Sequence, residues 1–289
     1  MPTWFPTRSL KYLPAALCGL MLLTGCGVGG LLNVPTVAPL NVSGNWQIQS
    51  ASNISSTAPP TAGLLLLGAL SSANGKVTGA FRLANLSLPN ACGTPLAQVV
   101  NVTGTVDALG NLNLTSTAFA GSVLTVKLLV PQVLSSLSAG SIAITGGSCT
   151  FASSTAIGVG FPSVSGTFSG PVTASTVVGT PPYPTGTASL SLMQSATAAA
   201  DGQFPVTGTL AFIGGTCTMS VPISGTVSGA ELTVASAPQG LAGLSAAALS
   251  AVFNPASSQA TLIDIVYPQG PCNAGLTAVG IYTGTLTRQ

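Results

Sequence analysis

The sequence predicts an all-β protein made of two tandem, homologous antiparallel β-domains with little helix. Three observations carry this. A five-residue pattern (apolar, Thr/Ser, Gly, small polar, apolar) returns eight times. Around each copy, apolar residues alternate with Ser, Thr and Asn at period two, the mark of a strand with one buried face. Gly, Thr, Ser and Val are dense, and long apolar runs at helical spacing are lacking.

The clear copies centre on Gly44, Gly79, Gly104, Gly166, Gly208, Gly225 and Gly284, with a degenerate copy at Gly186. They divide into two sets of four, which reads as a tandem duplication. In order, Gly79 matches Gly208, Gly104 matches Gly225 and Gly166 matches Gly284. Asn74-Gly75 and Asp201-Gly202 fall at matching places and are type I′ hairpin dipeptides. In Val100-Asn101-Val102-Thr103-Gly104-Thr105-Val106 the glycine lies on the apolar face. A mid-strand glycine loses packing there. It is retained where the strand bends sharply or a bulky neighbour fills the gap. Inward glycine kinks curl a sheet towards closure. Curved, barrel-like sheets are therefore expected ahead of β-sandwiches.

The domains are placed at residues 41–178 and 185–289, joined at 179–184 by a Pro-rich linker around Pro181-Pro182-Tyr183-Pro184. Leu241–Phe253 is the exception to the β reading. Leu241, Leu244, Ala248 and Val252 recur at helical spacing, which predicts a short buried helix plugging one end of a barrel.

Residues 1–25 have the parts of a secretory signal: Arg8 and Lys11, then an apolar run from Leu13 to Leu23. That run is shorter than the roughly 20 residues needed to span a bilayer. It ends in Leu23-Thr24-Gly25-Cys26, which resembles the lipobox of bacterial lipoproteins. The resemblance implies that the Cys26 thiol takes a diacylglyceryl group and that the leader is cut off before it. Gly27 follows in place of an aspartate, which by the same resemblance favours the outer membrane of a bacterial cell envelope. Residues 26–40 are Gly/Pro-rich and uncharged and read as a lipidated tether. The chain as a whole resembles envelope lipoproteins with tandem Gly/Thr-rich β-repeats.

Loss of Arg8 and Lys11 with the leader leaves Lys76, Arg82, Lys127 and Arg288 against Asp107, Asp201, Glu231 and Asp264, a formal charge of zero. So few cations cannot neutralise a run of phosphates, so no nucleic-acid partner is expected. The expected partners are the membrane, through Cys26, and a protein partner or a small apolar ligand. Cys18 leaves with the leader and Cys26 is taken by the lipid. Four cysteines remain, and an envelope compartment favours disulfides. They allow three connectivities. The duplication selects Cys92–Cys149 and Cys217–Cys272, one bridge per domain, each stabilising by about 4 kcal/mol in the chain-entropy account.

No enzyme is expected. The chain has no histidine, which removes Ser-His-Asp and Cys-His arrangements and the usual general base. Paired carboxylates could still hydrolyse glycosides. However, Asp107 and Glu231 occupy matching hairpin turns, Asp201 is itself a turn residue, and Asp264 reads as a solvent-facing strand residue. No cofactor is expected, because phosphate-binding glycine loops are lacking. No metal is expected, because Cys-x-x-Cys spacing is lacking and acids are few.

Gly44-Asn45-Trp46 resembles the Gly-x-Trp opening of lipocalins, which would imply a barrel carrying a small apolar molecule. Trp46 is read first as a core residue. An integral outer-membrane barrel ranks last, because aromatics are only 5% of the chain and spanning barrels carry two aromatic girdles. The leading expectation is a lipid-anchored, non-enzymatic envelope protein with a structural or partner-binding role.

Overall fold

A computed structural model describes residues 37–50, 63–85, 96–175, 185–215, 217–236, 248–254, 259–267 and 280–289. The first eight strands are β1 (Gly44–Ser50), β2 (Leu64–Ala73), β3 (Lys76–Asn85), β4 (Gln98–Val106), β5 (Asn111–Ser116), β6 (Ser122–Leu129), β7 (Ser138–Gly146) and β8 (Phe151–Phe161). Each pairs antiparallel with the next, and β1 also pairs with β8, which closes a barrel. The second barrel consists of β9 (Gly166–Ser175), β10 (Thr185–Gln194), β11 (Phe204–Gly214), β12 (Cys217–Ser228), β13 (Glu231–Ser236), β14 (Ala248–Asn254), β15 (Gln259–Tyr267) and β16 (Gly280–Arg288). It closes where β9 pairs with both β10 and β16. Both are up-and-down barrels, a topology that leaves no unpaired sheet edge.

The alternation in the sequence becomes inside and outside. In β4, Val100, Val102 and Val106 are buried, while Asn101, Thr103 and Thr105 are exposed. The interiors are filled with side chains. Trp46, Ile48, Phe81, Leu112 and Ile142 are among those buried in the first barrel. In the second, Phe168 meets Phe253 edge-on at 5.4 Å and Phe212 packs on Tyr282 at 4.8 Å between centroids. The indole N–H of Trp46 donates to Val42 O at 2.8 Å, so its one polar atom is satisfied inside the core.

The motif glycines mark where the sheet coils. Gly104 faces Leu114 across the β4–β5 ladder, and a Cβ on it would collide with the Asn113 carbonyl oxygen. Gly225 stands in the same relation to the Thr233 carbonyl of β13. The neighbouring backbone occupies the space a side chain would need, and that close approach lets eight strands close.

The duplication holds, but its register differs from the order of the motifs. β9 belongs to the second barrel, so the junction is Pro162–Ser165, not 179–184. The Pro-rich stretch lies outside the described residues, within the connection between β9 and β10 of one barrel. Gly166 corresponds to Gly44: both have φ of +137° at the start of a first strand. Their surroundings repeat as well. Ser72 N–H donates to Ser43 Oγ and Gln194 N–H to Ser165 Oγ, each at 2.9 Å. Gly284 lies in β16, which pairs directly with β9, so the two motifs matched in sequence as equivalents are partners in one barrel. Proline density suggested a domain boundary because stiff connectors suit linkers, yet the same residues serve equally in a connection between paired strands.

Two further expectations are corrected. Residues 248–254 form strand β14 between β13 and β15, not the end of a helix. Leu249, Ala251 and Phe253 are buried and Ser250 is exposed, so period two prevails there over the helical spacing of Ala248 and Val252. Residues 241–247 lie outside the description. Asn74 and Gly75 both have positive φ and form the expected two-residue hairpin between Ala73 and Lys76. Asp201-Gly202 does not. Gly202 alone has positive φ, its N–H donates to Ala199 O at 2.9 Å, and Ala199 N–H donates to Gln203 O at 2.8 Å. This is a three-residue loop with a left-handed glycine.

Candidate functional site at the barrel junction

The second barrel docks against the outer wall of β1–β3, and the residues there explain why. β2 begins Leu64-Leu65-Leu66-Leu67-Gly68-Ala69-Leu70, buried throughout. Leu64, Leu66 and Leu70 join the first barrel's core; Leu65 and Leu67 form a small outer cluster with Ala84, and Ala69 joins the core cluster of the second barrel. A strand covered on both faces reads as an unbroken apolar run. That run was the signal in the sequence for this contact.

The seam is held by main-chain recognition. Asn45 on β1, 1% exposed, donates from Nδ2 to Gly229 O at 2.7 Å and accepts at Oδ1 from Gly229 N–H at 2.6 Å. Gly229 opens the two-residue turn between β12 and β13 and has φ of +56°. A Cβ there would press on Leu67 and on the Gln47 side chain. Gln47 Oε1 accepts from Ala230 N–H at 3.4 Å.

Much of the sparse charge also collects at the seam. Arg82 on β3 donates from Nε to Leu96 O at 2.7 Å and from Nη1 to the side-chain oxygen of Gln203. The Gln203 amide nitrogen donates to Asp201 Oδ2 at 3.2 Å, and Gln203 N–H donates to Asp201 Oδ1 at 3.1 Å. Glu231, the first residue of β13, keeps an exposed surface, and partial desolvation by the surrounding protein shifts it upward, while the positive field of Arg82 pulls the other way.

The remaining charges do not converge there. Lys76 and Lys127 are exposed. Asp107 accepts from the Asn111 side chain at 2.7 Å and from the Asn111 and Leu109 N–H groups at 2.9 Å, and the Asn111 amide leads in holding its carboxyl below the usual range. The Arg288 guanidinium lies 5.1 Å over the Phe168 ring and donates from Nη2 to Ser163 O at 2.7 Å. Asp264 lies at a bulge in β15 opposite Ser250, and its side chain is outside the description.

The raised Glu231 fixes the sign of a pH effect. The folded chain holds the Glu231 proton more tightly than the unfolded chain does. This contribution is therefore complete below about pH 4.5, the unfolded value, and is lost as pH rises through the folded value. Glu231→Gln removes the cost of partly desolvating the charge. Its melting temperature should match or exceed that of the wild type at pH 7, and the difference should shrink at pH 4. A variant destabilised at pH 7 would make the Arg82 attraction dominant instead.

Beside the seam, a cleft of about 560 Å³ opens between Ser43, Leu134, Phe161, Ser163, Gln194 and Phe204. It is uncharged, and its polar groups are engaged in local structure. Gln194 Oε1 accepts from Val164 N–H at 2.9 Å, and Ser163 Oγ donates to Ser165 Oγ at 3.0 Å. The sequence reading missed this cleft because its walls come from both barrels.

Cys149 is buried and disulfide-bonded. Cys92, Cys272 and the side chain of Cys217 lie outside the described residues, as do Leu23, Thr24, Gly25 and Cys26. Among the described residues, no group of three or more His, Cys, Asp or Glu could hold a metal ion. No protein family, curated protein or solved structure matches the chain.

Proposed function

We propose that the protein is a lipid-anchored, non-enzymatic component of a bacterial cell envelope, in which two fused barrels form one body of zero net charge tethered through Cys26. The observation that carries this reading is Leu23-Thr24-Gly25-Cys26 at the end of a short apolar run behind Arg8 and Lys11. The two-barrel body supports it. The described strands are apolar within and rich in Thr, Ser and Asn without, the reverse of a membrane-spanning barrel. At the seam Asp201 accepts from Gln203, which also accepts from Arg82, and Glu231 lies in the field of Arg82, an arrangement that serves docking. Gly27 favours the outer membrane.

A lipocalin-like carrier is the second reading. A closed eight-stranded barrel whose first strand opens Gly44-Asn45-Trp46 favours it. Against it, the interiors are occupied by side chains. A Cβ on Gly158 would press on Leu128, and Trp46 and Ile48 crowd the same point. A cargo would need the neutral cleft instead.

Intact mass spectrometry of the protein purified from envelopes tests both the anchor and the bridges. The expected chain lacks residues 1–25 and carries acyl mass, which Cys26→Ser abolishes. Reduction should add two hydrogens for each bridge, and peptide mapping should recover Cys92–Cys149 and Cys217–Cys272. A mature chain with an unmodified Cys26 would overturn the anchored reading.

A further inference from the structure

We infer that one end of the first barrel rests on the membrane surface. The end in question gathers the start of β1, the β2–β3, β4–β5 and β6–β7 connections and the end of β8. Its loops are stitched together. Leu40 N–H donates to Asp107 O at 3.2 Å, Val106 N–H to Gly75 O and Val130 N–H to Gly110 O at 2.8 Å each, and Gly160 N–H to Leu134 O at 2.8 Å.

Of the seven exposed large apolar residues among those described, five stand at this end: Val37, Leu109, Leu129, Val133 and Leu137. Leu109 is 77% exposed and Val133 60%. The other two, Met193 and Ile213, lie at opposite ends of the β10–β11 pair and form no patch. Apolar side chains clustered on otherwise Thr- and Asn-rich walls mark an interaction surface.

The course of the chain identifies what that surface meets, and here the inference rests on the anchored reading. Val37 is where the described chain begins, and it lies at this same end. Ten residues separate it from Cys26. A chain of that length spans about 18 Å as a coil and at most about 40 Å extended. At its coil length such a tether keeps this end nearer the bilayer than the far one, which lies about 20 Å further along the barrel. At such effective concentration, contacts too weak to bind alone suffice to orient the body. Lys76 and Lys127 against Asp107 leave one net positive charge near this end, too little to hold the body on anionic lipid, so the contact is apolar in the main.

The test uses the full lipidated protein in vesicles of phosphatidylethanolamine and phosphatidylglycerol. Trp4 leaves with the leader and Trp46 is fully buried, so an added tryptophan reports its own position. Leu109→Trp and Val133→Trp probe the patch. Ala118→Trp probes the opposite end of the same barrel, about 20 Å away along six-residue β5. Nitroxide lipids labelled near the headgroup should quench the first two at least about twofold, because apolar contacts settle at the headgroup–acyl boundary, and should leave the third unchanged. High salt should not alter this. Equal quenching of all three in floating vesicles would overturn the inference alone. Blue-shifted emission without quenching would place a protein surface there and overturn it as well. Protein that fails to float would overturn the anchored reading and this inference with it.

Discussion

Gly104→Val should destabilise the first barrel by about 2 kcal/mol, measured by urea denaturation. Two effects oppose each other. Removing a glycine restricts the unfolded chain and favours folding by about 0.4–1 kcal/mol. The new side chain, however, would run into the Asn113 carbonyl oxygen and the Leu114 Cα. Those atoms belong to a paired strand and cannot rotate away as the end of a side chain would. Overpacking that moves backbone typically costs 1–3 kcal/mol, occasionally more, so the collision wins. Gly225→Val should behave alike, because it meets the Thr233 carbonyl. Thr103→Val, on the exposed face of the same strand, should change stability by less than about 0.5 kcal/mol. If Gly104→Val and Thr103→Val proved equally stable, the glycine would not be the point of closure.

Asn45→Ala should split one unfolding transition into two. The Asn45 amide satisfies both main-chain groups of buried Gly229, and truncation leaves that N–H and that carbonyl without their partner. An unsatisfied buried group costs about 1–3 kcal/mol, so the loss from two should total about 2–6 kcal/mol and fall on the coupling between barrels. Calorimetry should show a single endotherm for the wild type and two for Asn45→Ala, with the second barrel keeping its own melting temperature. Asn101→Ala, on the exposed face of β4, should leave the single endotherm in place. An unchanged endotherm in Asn45→Ala would mean that apolar contacts of Leu65, Leu67 and Ala69 carry the seam unaided.

The outcome at Asn45 shows where reading along the chain stops. Between Gly44 and Trp46 it has the alternation of an outward-facing polar residue, and it does face out of its own barrel. Alternation says which face a side chain takes, not what covers that face, and here the turn of the second barrel covers it. Asp201 and Glu231 read as separate turn residues, because nothing in a linear spacing places them beside Arg82. In β14 the helical and strand periods compete over a few small residues, and pairing with β13 and β15 decides between them.

The sequence by itself determined the β class, the inward glycines, the duplication and the polar outer walls, because each is written in contacts between near neighbours at period two. Only the tertiary structure decided that the sheets close, that β9 belongs with β16, and that the two barrels share a seam at Asn45, Gly229 and Arg82. Those facts depend on which distant strands meet, and hydrogen bonds between main chains carry no side-chain signature of their partner.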